Sequence, residues 1–136
     1  MTHEVVDEVV DVLTKGHLVI EVALTRVIEQ HLCHPEYLSD ASLRFYQKSS
    51  IARALCLRKD KRGEWTLMHA LNALRNTLAH KLQSEEREKR VARVRRTYFK
   101  EAPDGAEKEA LREASDAAVI AAACAHCAAF LASFES

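Results

Sequence analysis

Leu71-Asn72-Ala73-Leu74-Arg75-Asn76-Thr77-Leu78-Ala79-His80 is the stretch on which the reading of this chain turns. At about 100° per residue, Leu67, Leu71, Leu74, Leu78 and Leu82 fall on one apolar stripe of a helix. His69, Asn72, Asn76 and His80 form a second stripe roughly opposite, made only of neutral hydrogen-bonding groups. Between Thr66 and His80 the sole formal charge is Arg75. An ordinary surface helix carries Lys and Glu on its solvent side. A helix with one apolar and one uncharged polar face is therefore expected to be covered on both, with the polar side turned to a partner subunit or a site.

The helical period recurs on either side of this stretch. Val5, Val9, Val12, Gly16, Ile20, Ala23 and Val27 recur at steps of four and three and predict a first helix from about residue 3 to residue 33. Gly16 lies on that stripe. A mid-helix glycine costs about 1 kcal/mol relative to alanine, so its place there predicts close approach of another helix, with a bend possible at Lys15-Gly16. His34-Pro35-Glu36 breaks the chain. Ser39 or Asp40 is expected to cap a second helix running to about Leu57. Lys59-Asp60-Lys61-Arg62-Gly63 reads as a charged loop before the central helix, about Glu64 to Leu82. Ser84 with Glu85 and Glu86 suits a fourth helix start by cap and dipole, ending near Lys100. Glu101-Ala102-Pro103-Asp104-Gly105 is a turn, and a last helix is expected from about Ala106 to Phe134. No strand alternation or internal repeat is legible. The expectation is an all-α chain, an antiparallel bundle of four to five helices forming one domain over residues 1–136.

Composition agrees with a helix-rich chain. It has 136 residues, 48% of them hydrophobic, with three Gly, two Pro and only 6% aromatic content. The core must then be built mainly from Leu, Val, Ile and Ala. Four cysteines, at 33, 56, 124 and 127, form no dense disulfide framework and suit a reducing compartment. The acidic start Met1-Thr2-His3-Glu4 lacks a basic-then-apolar leader, and a cytoplasmic location is expected. Ala117 to Phe134 is an uncharged run, but it is mostly Ala with His126 in the middle, so it reads as a buried globular helix and not a membrane span.

Charge is balanced overall but unevenly placed. Residues 1–40 hold eight acids against Lys15 and Arg26, and residues 101–136 hold seven against Lys108 and Arg112. Residues 41–100 hold sixteen bases against five acids, a net of +11. A basic block between acidic ends is the footprint of a polyanion binder, or of a block neutralised by those ends in the fold or across a dimer. Within it, Lys89, Arg93, Arg96 and Lys100 share one helical face, while Val91, Val94 and Tyr98 point elsewhere, toward the core. Such a row can track the backbone of RNA; intrahelical pairing with Glu85, Glu86 and Glu88 is the competing account.

Arg75, Asn76 and His80 are the chemically able residues of the central helix. Asn76 and His80 are four apart and share a face. Arg75 and His80 are five apart and diverge by about 140°, so a partner subunit could supply the second half of a site. Arg is permanently charged and its fork matches phosphate oxygens. His can move protons near neutrality. Asn can hold the imidazole or a phosphate oxygen.

This hexamer, Arg75-Asn76-Thr77-Leu78-Ala79-His80, resembles the signature of the HEPN superfamily. Leu43-Arg44-Phe45-Tyr46-Gln47-Lys48 with Ile51-Ala52-Arg53-Ala54-Leu55 resembles the preceding helix in a HEPN-like branch that includes the mannitol operon repressor family. The Ala-rich end, Cys127-Ala128-Ala129-Phe130-Leu131, also fits it. The resemblance implies a small all-α domain and a metal-independent endoribonuclease of toxin or defence type. It implies catalytic roles for Arg75 and His80, with Asn76 in support, and a composite site at a homodimer interface. An antitoxin or regulatory protein partner belongs to that picture, and no cofactor does. The alternative is a non-catalytic transcriptional regulator or interaction module resembling the mannitol repressor family, in which the same helix is only an interaction surface.

The remaining constellations point to less. Cys124, His126 and Cys127, with His31, Cys33 and His34, offer metal-type ligands, but the first three lie inside an Ala-rich helix and no second Cys pair follows at finger-like spacing, so no metal is expected. His17 and Glu21, four apart, read as a surface or interface pair sharing a hydrogen bond. There is no Gly-rich phosphate loop and no nucleophile elbow.

Overall fold

A computed structural model describes residues 7–80 and 85–134. Among these the chain is helical without a strand: α1 (Glu8–Glu29), a 3₁₀ helix (Pro35–Ala41), α2 (Phe45–Leu55), α3 (Glu64–His80), α4 (Glu85–Glu101), α5 (Ala106–Leu111) and α6 (Asp116–Ala132). Helix α3 is central and packs against α1, α2, α4 and α6, while α1 also lies along α6 and α2.

The start of α1 is fixed by Asp7, whose Oδ1 accepts from the Val10 N–H at 3.3 Å. The same carboxylate accepts two hydrogen bonds from the Arg87 guanidinium, at 2.6 and 2.9 Å, tying α1 to α4. That fork holds the Asp7 carboxyl below its ordinary range. Along α1, Leu13, Ile20, Leu24, Val27 and Ile28 are buried. The stripe expected through Ile20 and Val27 is therefore widened by Leu13, Leu24 and Ile28, because α1 is covered by α2 and α3 as well as α6. Val5, expected on it, lies outside the described residues. Helix α1 passes through Gly16 unbroken, and Gly16 meets α6: a Cβ built there would lie 2.5 Å from Cys124 Sγ and 2.7 Å from Cys124 Cβ.

Helix α3 buries Leu67, Leu71, Leu74 and Leu78 as expected, and Trp65, Met68 and Ala70 besides; Leu82 lies outside the described residues. Full burial of a Leu contributes about 1.5–3 kcal/mol, so this row is a large part of the core. Trp65 donates its indole N–H to the Lys59 carbonyl at 2.8 Å and packs edge-on against Phe130, centroids 5.5 Å apart. Val91, Val94 and Tyr98 on α4 are buried as expected.

Several boundaries differ from the sequence reading. Helix α1 ends at Glu29, and the His31 ring bonds the Val27 carbonyl at 2.8 Å, holding the chain in a turn. Ser39 and Asp40 cap nothing, because Pro35–Ala41 is a 3₁₀ helix ended by Ser42 in a left-handed conformation, φ 49°. Helix α2 begins only at Phe45, where the Gln47 side chain accepts the Arg44 N–H at 2.8 Å. The expected Ser84 start of α4 lies outside the described residues. The long last helix is two: Ser115 takes the Ala118 N–H at 3.2 Å and restarts the chain as α6. The short α5 is anchored by Lys108, which donates to the Ala102 carbonyl and to Asp104 Oδ1, both at 3.0 Å. No helix among the described residues is long and apolar enough to cross a membrane.

Candidate functional site

The polar stripe of α3 is divided by its neighbours. At its N-terminal end His69 is half-buried beneath α2, with Ser49 Oγ 3.4 Å from its Nε2 and the Tyr46 ring 5.3 Å away. Burial lowers the His69 pKa, and the charges of Arg53 and Arg93 lower it further. One turn on, Asn72 Oδ1 lies 3.0 Å from His17 Nε2 on α1. With the amide oxygen facing the ring, Nε2 carries the proton and donates, which leaves the lone pair on Nδ1. The His17 ring also stacks on Phe45, centroids 4.2 Å apart and 24° between planes. Beyond this point Asn76 and His80 are exposed. The expectation of cover on both faces thus holds within the chain for His69 and Asn72 and leaves Asn76 and His80 open.

Asn72, Arg75 and Asn76 form one wall of a cleft of about 630 Å³, within the size range of small-ligand sites. Thr14, His17, Leu18 and Glu21 of α1 form the opposite wall, and Arg44, Phe45 and Tyr46 close one end. Its electrostatics are uneven. The Glu21 carboxylate is held by Lys48 at 3.0 Å, a pair joining α1 to α2. Arg75 is half-buried and Arg44 exposed, and neither guanidinium has a carboxylate partner among the described residues. Burial drives the His17 pKa down and the Arg75 charge adds to that; the Asn72 hydrogen bond and the Glu21 charge oppose them. The imidazole is therefore neutral at neutral pH, a proton acceptor beside an unneutralised guanidinium.

Of the residues expected to form a site, Arg75 and Asn76 reach this cleft. His80, the last residue of α3, is not among those lining it. The three are not gathered at one point of a single chain. His17, Asn72 and Arg44 join the cleft instead. The sequence signal for Asn72 is its place in the uncharged stripe. The spacing of His17 pairs it with Glu21, but it bonds Asn72 while Glu21 bonds Lys48, a choice set by which helix covers α1.

On α4 the structure separates two sets of bases. Arg87 pairs with Asp7 at 2.6 Å, Arg90 with Glu86 at 2.9 Å and Arg95 with Asp116 at 3.2 Å. Lys89, Arg96 and Lys100 are exposed and Arg93 is half-buried, and among the described residues none of these four has a carboxylate within ion-pair distance. The intrahelical pairing considered for this face is made by Arg90 and not by them.

The sulfur-rich end of α6 is a packing feature. Burial pushes the Cys124 thiol up to about 12 and the Cys127 thiol well above its ordinary value, so both are protonated and inert. Cys33 is exposed elsewhere. Among the described residues no three His, Cys, Asp or Glu side chains gather in a metal-binding group. Next to these thiols Glu64, 2% exposed, accepts from Arg62 at 2.8 Å and lies 3.2 Å from His126 Nε2, tying the start of α3 to α6.

No family model matches the chain, and neither a curated protein nor a solved structure matches it.

Proposed function

We propose that this protein is an RNA-directed, HEPN-like domain, a metal-independent endoribonuclease of toxin or defence type whose helices form an antiparallel bundle. The observation that carries this reading is the cleft itself. Arg75, without a carboxylate partner among the described residues, opens with Asn76 into a space shared with a neutral imidazole. Cleavage of RNA without a metal needs a proton acceptor for the 2′-OH, positive charge on the phosphorane and a proton for the 5′-oxygen. The test is cleavage of single-stranded RNA by purified protein in excess EDTA. Products should end in 2′,3′-cyclic phosphate, and DNA should stay intact, because the 2′-OH is the nucleophile. Failure to cut RNA at any protein concentration would refute the enzyme.

The site is completed by a second copy of the chain. His80 diverges from Arg75 on α3 and stays outside the cleft of its own chain, so the working arrangement brings His80 of one protomer to the cleft of the other. Leu18, 61% exposed, and Val22, 49% exposed, stand beside the cleft on α1 with exposed Val19. An apolar strip bordering an incomplete site suits an isologous contact. Sedimentation at micromolar concentration should give a dimer, and Val22→Arg should give a monomer that no longer cuts RNA. A monomeric wild type would remove the composite site.

Lys89, Arg93, Arg96 and Lys100 of α4 supply sequence-independent affinity. Replacing Arg93 and Arg96 together by Ala should weaken RNA binding and flatten its salt dependence by about 0.7 to 1 logarithmic unit for each phosphate that is no longer neutralised. An unchanged slope would assign the row to plain solvation.

One observation favours the second reading, a non-catalytic regulator or interaction module. In a single chain the cleft lacks His80. In that reading α3 and the apolar strip of α1 serve only as a binding surface. RNA binding without cleavage would favour it.

A further inference from the structure

The cleft is more specific than a general anion site. Arg44 enters from the start of α2 and Arg75 from α3, and neither is neutralised by a carboxylate among the described residues. Glu21, the one acid among the described residues lining the cleft, is already paired with Lys48 at 3.0 Å. Two guanidiniums facing one space without a carboxylate are suited to a phosphate, whose oxygens accept their forked donors. The same cleft is lined by a group of opposite hydrogen-bonding character, His17. The His17 proton is committed to Asn72 Oδ1 at 3.0 Å. The other ring nitrogen has no hydrogen-bond partner among the described residues, so what the ring offers is an acceptor. An acceptor repels phosphate oxygens and suits a hydroxyl. The ring also stacks on Phe45, a contact that adds to the Asn72 hydrogen bond in setting its orientation. Tyr46 also lines the cleft and is 59% exposed, an aromatic ring accessible to a planar ligand.

We propose that this cleft is a subsite for one ribonucleotide of single-stranded RNA, in which Arg44 and Arg75 hold the phosphate, His17 accepts the ribose 2′-OH and Tyr46 stacks the base. This rests on the RNA reading above and deepens it, since a hydroxyl acceptor beside a phosphate site distinguishes ribose from deoxyribose. His17 is oriented by Asn72, which makes Asn72 a positioning residue.

The experiment uses the whole protein, adenosine 3′-monophosphate and its 2′-deoxy counterpart, with inorganic phosphate as a third ligand. Ring signals of His17 and Tyr46 are followed by NMR through each titration. The ribonucleotide should move both rings, and inorganic phosphate should move His17 but leave Tyr46 in place. The ribonucleotide should bind about three- to tenfold more tightly than the deoxynucleotide, the range expected of one hydrogen bond. His17→Ala should erase that preference. Arg44→Ala, an exposed change that leaves the α2 cap intact because the cap uses the backbone N–H, should weaken both nucleotides alike, by about tenfold. His17 and Tyr46 signals that stay still at millimolar ribonucleotide would overturn the proposal, as would a ribose preference that survives His17→Ala. If His17→Ala does not fold, the wild-type titrations and Arg44→Ala still decide. A protein that cuts RNA but fails these tests keeps the nuclease and loses the subsite. One that passes them and never cuts RNA keeps the subsite and loses the nuclease.

Discussion

If this chain is the proposed dimeric ribonuclease, His80→Ala should lower the rate of RNA cleavage by about 10²–10⁴-fold, the usual contribution of one positioned acid or base, and should leave the fold and the dimer unchanged. The structural half of this expectation follows from where His80 stands. It is exposed at the last position of α3, and no hydrogen bond or ring contact holds it among the described residues. Removing the imidazole empties no cavity and strands no buried partner, so melting temperature and sedimentation should match the wild type. Arg75→Ala should cost a similar factor by a different route, the loss of charge stabilisation on the phosphorane. It too breaks no ion pair among the described residues. His69→Ala is the control on the same stripe. His69 touches Ser49 and Tyr46 beneath α2, so its loss should lower stability and change the rate much less. The measurement is the initial rate on single-stranded RNA in excess EDTA, with each variant checked by circular dichroism. Composite geometry adds a sharper consequence. If His80 acts on the partner's cleft, inactive His80→Ala and inactive Arg75→Ala protein mixed together should regain activity, because a mixed dimer holds one intact site. No recovery on mixing, with mixed dimers present, would place both residues in one chain's site or in none. A His80→Ala protein that unfolds or dissociates would show the motif to be structural.

The leucine row of α3 and the apolar side of α4 are readable in the sequence because burial imposes a helical period on residue type, and one chain carries the whole period. The cover over His69 and Asn72 is readable for a related reason, since a stripe without charge is incompatible with free solvent. The break at Ser115 is hidden because the Ala-rich composition beyond it continues a helix by propensity, and a single hydroxyl capping Ala118 outweighs that preference. The 3₁₀ helix after Pro35 is hidden because the choice between it and an earlier α2 depends on Ser42 adopting φ 49°, a conformation that a serine takes up only uncommonly and that its residue type does not announce. In the cleft, Arg75 and Asn76 are legible from one helix. The His17–Asn72 bond spans two helices far apart in the chain, and no periodicity within either encodes which residues will face. The same limit applies to Arg44, which depends on where α2 begins.

Gly16→Ala should destabilise the protein, although Ala is the better helix former. Two effects of opposite sign meet at this position. Replacing a mid-helix Gly with Ala contributes about 1 kcal/mol of helix propensity. Against it stands the approach of α6. The added Cβ would lie 2.5 Å from Cys124 Sγ and 2.7 Å from Cys124 Cβ. A thiol can turn away, but Cβ is fixed to the helix backbone, so α1 and α6 must move apart. Overpacking of this kind costs about 1–3 kcal/mol, and these two helices share the core through Leu13, Ile20, Ile120 and Leu131. The clash should win, by up to about 2 kcal/mol for Ala, and by more for Gly16→Val, which adds β-branching at the same point. In urea the midpoint should fall from wild type to Ala to Val at an unchanged slope, since the surface exposed on unfolding is nearly the same. Cys124→Gly is the partner test. It removes both clashing atoms, so adding Gly16→Ala to Cys124→Gly should stabilise that variant by the propensity gain, reversing the sign seen in the wild-type background. This reversal is what separates a close helix approach from a general intolerance of change in α1. A Gly16→Ala midpoint above wild type would mean that α1 and α6 have room to spare there, and that the glycine on the stripe is not a packing device.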